Sequence, residues 1–188
     1  MNPIKLCGNW TEGYAMDAHV IQSVYIGDDP FGNPRFDNKR SELGELLYRM
    51  KYNGHHNTTQ EIIEIISPFL NEWLSDKRID SVIPVPPSHS RYLQPVFLLA
   101  EAIANKYNTY YVEDVLIKTS SVEAKNMPKD NKRLEGTISK QMTANRSCNI
   151  LLVDDLFSTG STVTECVNVL KTDPLVKDIY YLAITRTK

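Results

Sequence analysis

Two adjacent carboxylates, Asp154 and Asp155, stand between a run of aliphatic residues and a loop of small hydroxyl residues. The aliphatic run covers residues 150–153, and the hydroxyl loop covers residues 158–162. A continuous apolar run predicts a strand buried on both faces of a parallel sheet, here ending at Asp154. Open α/β sheets bind ligands at the carboxyl ends of such strands, where paired carboxylates can accept hydrogen bonds from vicinal hydroxyls. The chemistry that fits is recognition of a ribose 5-phosphate.

The loop after the carboxylates has the composition of a phosphate-binding loop. Gly160 lets the backbone approach an anion closely, and a helix predicted over residues 161–171 directs its positive end towards that anion. The side chains that can donate hydrogen bonds to the phosphate are Ser158, Thr159, Ser161 and Thr162. An ordinary capped helix after a core strand would explain Ser161, but it would not explain two adjacent carboxylates at the same edge.

This segment resembles the 5-phosphoribosyl-1-pyrophosphate (PRPP) signature of the type I phosphoribosyltransferases. The resemblance rests on the hydrophobic strand, the Asp154-Asp155 pair and the Ser-Thr-Gly-Ser-Thr loop. It implies an α/β fold with a mainly parallel twisted sheet flanked by helices and a small N-terminal α+β cap, or hood. It also implies transfer of 5-phosphoribosyl from PRPP to a nitrogen acceptor with release of pyrophosphate. Mg²⁺ is the expected cofactor, held through the oxygens of the substrate and water with no direct protein ligand.

The segment Val-Ile-Pro-Val-Pro-Pro-Ser-His-Ser-Arg at residues 82–91 narrows this resemblance. A V-P-V-P strand followed by a basic loop is similar to the ComF-like branch of the superfamily, and in this fold the loop after that strand receives pyrophosphate. Arg91 would offer a planar fork to two phosphate oxygens. Taken alone, the loop has an alternative interpretation as an ordinary turn in which His89 is a surface histidine. The residues assigned to pyrophosphate are Ser88, His89, Ser90 and Arg91.

Two further basic features fit the ComF-like branch. Met50-Lys51-Tyr52 is similar to the L-K-Y of that branch, although Lys51 could equally interact with carbonyls at the end of a helix. The polar, cationic segment at residues 118–140 could close over pyrophosphate as the mobile loop of the superfamily does, or it could be merely solvated. The candidate lid residues are Lys118, Lys125, Lys129 and Arg133.

The chain also departs from its apparent relatives. Many ComF-like proteins begin with a cysteine-rich zinc segment, whereas Cys7 is the only cysteine in that region here, so no structural zinc is expected. Purine-salvage relatives carry an aspartate where this chain has Ser158, which disfavours a purine-salvage reaction. The acceptor site should be built by the N-terminal cap, whose aromatic residues would stack on a base or pack in the core or on the surface. Those aromatic residues are Trp10, Tyr14 and Tyr25.

Length and composition set broad limits. A chain of 188 residues with a formal net charge of -2 suits one α/β domain with an appendage. The charge argues against strong general nucleic-acid binding. With no signal peptide or apolar run long enough for a membrane span, the expected location is the cytoplasm. The sequence leaves open whether the protein forms a homodimer.

The pattern along the chain divides it into a cap at residues 1–75 and a PRPP-binding core at residues 76–188. In the cap, we predict short antiparallel strands followed by two helices, the first capped by Ser41. In the core, strands and helices alternate, which predicts right-handed parallel crossovers. The remaining predicted elements are helices at 42–52, 58–74 and 93–107, and strands at 79–85, 110–117 and 178–185.

Two classes of function follow from these patterns. The first is a phosphoribosyltransferase-like enzyme, and the second is a non-catalytic PRPP- or nucleotide-binding regulator or accessory protein in DNA uptake or processing. The acidic pair, the two anion loops and the cationic segment favour the enzyme, whereas the sequence shows no identifiable base to activate an acceptor. A kinase or phosphatase is disfavoured because the chain has neither a P-loop nor a nucleophile motif.

Overall fold

The computed structural model describes residues 1–52, 58–87, 94–119 and 137–187. In chain order, its strands are β1 (Ile4–Lys5), β2 (Glu12–Ala18), β3 (Val20–Asp28), β4 (Pro34–Arg40), β5 (Ser81–Pro84), β6 (Tyr110–Tyr111), β7 (Leu116–Lys118), β8 (Ile138–Lys140), β9 (Cys148–Phe157) and β10 (Val176–Arg186). Its helices are α1 (Glu42–Tyr52), α2 (Thr58–Trp73), α3 (Pro95–Lys106) and α4 (Ser161–Leu170). None of the helices in these ranges is long and apolar enough to span a membrane.

Six strands form the central sheet in the order β1-β2-β10-β9-β5-β6. Every neighbouring pair is parallel except β1 and β2. Helices pack on both faces of this sheet. The structure therefore confirms the predicted fold class, an α/β protein with a mainly parallel sheet flanked by helices.

The apolar run in β9 is continuous because both faces of the strand are covered. Leu151 and Val153 belong to a core cluster shared with α1, α2 and α3. Ile150 and Leu152 belong to a second cluster shared with α4. Since side chains alternate between the faces of a strand, two hydrophobic layers require an apolar residue at every position. This double burial fixes the position of β9 at the centre of the sheet.

The N-terminal residues complete the main sheet. β2 pairs in parallel with β10, from Glu12 opposite Tyr180 to Ala18 opposite Arg186. The division into residues 1–75 and 76–188 stays a prediction, but the first 75 residues do not stand wholly apart from the core. Sequence patterns could not show this, because pairing between strands so distant along the chain is decided by packing rather than by local periodicity.

Several elements differ from their predicted bounds. β9 runs on through Asp154 to Phe157 because β10 continues beside it, with Arg186 opposite Phe157. The single strand predicted at 110–117 is two short strands, β6 and β7, separated by a 3-10 turn. The predicted Ser41 cap is present, since the Gly44 backbone N–H donates to Ser41 Oγ over 3.0 Å.

The aromatic residues of the cap have different surroundings. Trp10 is buried and packs against Tyr181, with 5.0 Å between ring centroids. Tyr14 packs against the rings of α2, as the core-packing alternative predicted. Tyr25 lies on the exposed β3-β4 hairpin, where its ring meets that of Phe36 across the strands.

Glu165 is a buried carboxylate that ties β8 to α4. It accepts hydrogen bonds from the Thr137 N–H at 2.7 Å, the Thr137 hydroxyl at 2.9 Å and the Ile138 N–H at 3.1 Å. We expect Glu165→Ala to lower the free energy of unfolding by about 2–4 kcal/mol, because it removes three hydrogen bonds and takes the acceptor of the buried Ile138 N–H. Urea denaturation measures the loss. Glu165→Gln keeps one acceptor oxygen, so its loss of stability should be about half as large. Equal stability of the wild type and Glu165→Ala would contradict this account.

Candidate active site

The two carboxylates lie at the carboxyl edge of the sheet, near the end of β9. The Tyr181 hydroxyl donates to Asp154 Oδ2 over 3.1 Å, and the Asp155 N–H donates to Asp154 Oδ1 over 2.8 Å. Burial, with a smaller contribution from the charge of Asp155, raises the pKa of Asp154 to about 7. Burial and the adjacent Asp154 also raise the pKa of Tyr181 well above its ordinary value, so Tyr181 remains a donor. The site therefore holds one carboxyl group close to half-protonation at neutral pH.

Asp155 is paired with a lysine from the opposite layer. Lys51, in the last turn of α1, lies with its Nζ 2.5 Å from Asp155 Oδ2, and the two side chains are only 14% and 20% exposed. The sequence left open whether Lys51 belongs to an L-K-Y motif or interacts with carbonyls at the end of a helix. In the structure, its ammonium group pairs with Asp155. The sequence could not pair the two residues, because the contact forms only when α1 packs on the face of the sheet that carries Leu151 and Val153.

We expect Lys51→Met to lower the free energy of unfolding by about 1–3 kcal/mol, because it leaves the charge of Asp155 partly buried and unpaired. The double variant Lys51→Met, Asp155→Asn should recover part of this loss. Thermal or urea denaturation will then give a stability change that differs from the sum of the two single changes. Lys5→Met is the matched control, since Lys5 pairs with Glu12 but is 63% exposed, and it should change stability little. If the stability losses of Lys51→Met and Asp155→Asn simply add in the double variant, the proposed ion pair is contradicted.

The loop between β9 and α4 makes a tight turn at Gly160. Gly160 has a φ of 81° and precedes the first residue of α4. A Cβ atom at Gly160 would lie 3.0 Å from the ring of Phe157, so a side chain at this position would press on that ring. The Thr164 N–H donates to the Gly160 carbonyl over 2.9 Å, which closes the first turn of α4. Backbone N–H groups at a helix start favour an anion.

The hydroxyls of the loop are close enough to act together. Thr159 Oγ1 and Ser161 Oγ are 2.8 Å apart, and Ser158 Oγ is 3.5 Å from the Thr187 hydroxyl. All these groups lie at the surface of the loop. They can reorient towards an oxyanion, since a hydroxyl rotates to suit its partner.

A cavity of about 310 Å³ lies between this loop, the carboxylates and the end of β5. The residues of the predicted site that line it are Asp154, Asp155, Ser158, Thr159, Gly160 and Thr162. Its wall also contains Lys51 and Tyr181, which the sequence did not assign to the site, and Gln94 and Pro95 at the start of α3. The structure thus gathers most of the predicted sugar and 5-phosphate residues around one space.

Other predicted residues lie elsewhere. Lys118 lies in β7 opposite Ile138, and it is not among the described residues of the cavity wall. Ser161 contacts Thr159 but is likewise outside that wall. The assignments that fall outside the described residues are Ser88, His89, Ser90, Arg91, Lys125, Lys129 and Arg133.

Within the described ranges, no group of three or more His, Cys, Asp or Glu side chains is close enough to hold a metal ion. The two carboxylates of the site already have partners, since Asp154 accepts from Tyr181 and Asp155 pairs with Lys51. Carboxylate oxygens suit Mg²⁺, and Asp154 and Asp155 are the carboxylates of the described cavity wall that could contact a magnesium complex of a substrate.

No known protein-family profile matches the sequence, and no curated protein sequence matches it significantly. Solved structures do match. The adenine phosphoribosyltransferase of Saccharomyces cerevisiae, complexed with adenine and an imino-altritol bisphosphate, matches with a TM-score of 0.52 and 14% identity over 87% of this chain and 84% of that chain. This chain has the phosphoribosyltransferase fold.

Two other solved enzymes with the phosphoribosyltransferase fold are also similar. The adenine phosphoribosyltransferase of Thermoanaerobacter pseudethanolicus has 15% identity and a TM-score of 0.47, with 87% of this chain and 95% of that chain covered. The hypoxanthine phosphoribosyltransferase of Staphylococcus aureus has 14% identity and a TM-score of 0.46, with 66% and 62% covered.

Proposed function

We propose that this protein transfers 5-phosphoribosyl from PRPP to a nitrogen acceptor and releases pyrophosphate. The observation that carries the proposal is the placement of Asp154, Asp155 and the hydroxyl loop around one cavity in a phosphoribosyltransferase fold. A binder of a simple phosphate would need the loop but not the two carboxylates. A phosphorylated ribose uses both.

Each part of the cavity has a task in this reaction. The carboxylates accept hydrogen bonds from the ribose hydroxyls, and the ion pair with Lys51 orients Asp155. The loop from Ser158 to Thr162 and the start of α4 hold the 5-phosphate. We assign pyrophosphate to the loop from Ser88 to Arg91, and the lid role to Lys118, Lys125, Lys129 and Arg133.

The chemical step is a substitution at C1 of the ribose. A nitrogen lone pair forms the new bond to C1 while the C1–O bond breaks, and its electron pair leaves with pyrophosphate. Positive charge develops on the sugar, and the nearby carboxylates favour it electrostatically. Mg²⁺ would neutralise charge on the departing pyrophosphate. A purine acceptor is disfavoured in this proposal, because Ser158 stands where purine-salvage relatives have an aspartate near the base.

The test is calorimetric titration of magnesium-PRPP into the wild type and an Asp154→Asn, Asp155→Asn variant, with pyrophosphate release followed over a panel of nitrogen acceptors. We expect binding in the wild type, loss of at least about tenfold in affinity in the variant, and acceptor-dependent release. Asp37→Asn, on the exposed hairpin, is the matched control. Binding without release would favour the ComF-like regulator, and no binding by folded wild type would refute both functions.

A further inference from the structure

His19 follows directly after β2 and lies at the same edge of the sheet as the carboxylates. β2, β10 and β9 run parallel, with Ala18 opposite Arg186 and Arg186 opposite Phe157, so all three strands end together. The His19 N–H donates to the Arg186 carbonyl over 2.7 Å. Its ring is half-buried, and its Nδ1 lies 3.0 Å from Thr185 Oγ1. The backbone and the ring of His19 are therefore both fixed against β10.

The hydrogen bond of Thr185 selects the tautomer of His19. The Thr185 hydroxyl is fully buried and donates its hydrogen to the Asp155 carbonyl over 3.3 Å. We assign this hydrogen to the Asp155 carbonyl, so that the hydroxyl accepts from His19 and Nδ1 carries the ring proton. The lone pair of the neutral ring is then on Nε2. In the described part of the chain, the ring's hydrogen bond is made through Nδ1, which leaves Nε2 able to accept a proton.

The charges around His19 favour the neutral ring. Burial is the main cause that lowers its pKa, and the cations Lys51 on α1 and Arg40 on β4 lower it further. Asp155 on β9 acts in the opposite direction and only partly offsets them. His19 is thus mostly uncharged at neutral pH, which is the protonation state that a general base requires.

The order of the strands places His19 on the side of an incoming acceptor. β9 carries the carboxylates, with β5 on one side and β10 followed by β2 on the other. The proposed pyrophosphate loop follows β5. In a substitution at C1 the nucleophile approaches opposite the leaving group, so the acceptor should enter from the β10 and β2 side. His19 lies outside the described cavity wall. Its link to the site is Thr185, which contacts both the His19 ring and the Asp155 carbonyl.

We propose that His19 Nε2 is the general base that takes the proton from the acceptor nitrogen. This proposal rests on the transfer reaction proposed above. As the N–C1 bond forms, the C1–O bond breaks and its electrons leave with pyrophosphate, while the acceptor proton moves to Nε2. Among the described residues, Asp155 is the anion whose charge acts on the ring in favour of the resulting imidazolium. The sequence offered no base for the acceptor, and only the assembled sheet brings this one to the site.

His19→Asn tests the proposal, because the asparagine amide can still donate to Thr185 while the Nε2 base is lost. We expect pyrophosphate release over the acceptor panel to fall by about 10²–10⁴-fold, with magnesium-PRPP affinity within about twofold of the wild type. Asp154, whose pKa is about 7, should give the wild type and the variant the same acidic limb. The wild type alone should show a second limb at lower pH, because burial lowers the pKa of His19. Unchanged release, or equal losses in release and affinity, would overturn the proposal.

A second measurement is independent of turnover. Nitrogen-15 NMR of the wild type should show the Nδ1–H tautomer for the histidine signal that disappears in His19→Asn, and an Nε2–H tautomer would overturn the assignment. If the wild type binds PRPP but releases no pyrophosphate with any acceptor, the transferase proposal fails and the base with it. If the wild type releases pyrophosphate and His19→Asn does so equally fast, the base alone fails.

Discussion

Asp154→Asn is expected to raise the free energy of unfolding at pH 8 by about 2–4 kcal/mol and to weaken PRPP binding. Burial near the end of β9 raises the pKa of Asp154 to about 7, so the folded protein must ionise a desolvated carboxyl group at alkaline pH. An asparagine keeps an acceptor for Tyr181 without that charge. Binding should fall by about 10–100-fold, because a charged acceptor for the ribose hydroxyls is lost.

The raised pKa fixes the direction of the pH dependence. Between about pH 4 and pH 7 the folded protein holds a proton on Asp154 that the unfolded chain has released, so this contribution to stability falls as the pH rises through that window. Below the window both states are protonated. Urea denaturation at pH 5 and pH 8 should therefore show a smaller difference between wild type and Asp154→Asn at the lower pH.

Asp173→Asn is the matched control for this experiment. Asp173 accepts hydrogen bonds from the N–H groups of Ala144 and Leu175, and these bonds lower its pKa. Its ionised form is stabilised by folding, so the same substitution should destabilise the protein at pH 8. If Asp154→Asn and Asp173→Asn both destabilise at pH 8, the proposed environment of Asp154 is wrong.

Gly160→Ala is expected to weaken PRPP binding by about 100-fold, equivalent to the loss of one or two charge-assisted hydrogen bonds to the 5-phosphate. Gly160 has a φ of 81°, and an added Cβ would lie 3.0 Å from the Phe157 ring. An L-residue in this conformation costs about 1–2 kcal/mol, and relief of the contact would move the loop that we propose holds the 5-phosphate. Calorimetric titration of magnesium-PRPP measures the effect.

Gly32→Ala separates the backbone strain from the contact with Phe157. Gly32 has the same φ of 81° but no atom within 4 Å of an added Cβ. It lies in the turn of the exposed hairpin, so its replacement should cost stability by a similar strain and leave PRPP affinity unchanged. Equal losses of affinity in Gly32→Ala and Gly160→Ala would show that the loop contact does not control binding.

The patterns within single segments predicted the local structure well. The hydroxyl of Ser41 caps α1 as its position before the apolar stripe predicted. Gly160 adopts the positive φ that only glycine adopts readily. The fully apolar residues 150–153 form a strand covered on both faces. Such features depend on interactions within a few residues, and the sequence displays them directly.

The sequence by itself determined the class of fold and indicated the residues that we propose bind a phosphorylated ribose. The tertiary structure decided their state and their partners: Lys51 beside Asp155, Tyr181 against Asp154, and Thr185 beside His19. The physical reason is that pKa values and tautomers depend on burial and on charges brought together from distant segments. Those distances exist only after β2, β10 and β9 have aligned their carboxyl ends at one edge of the sheet.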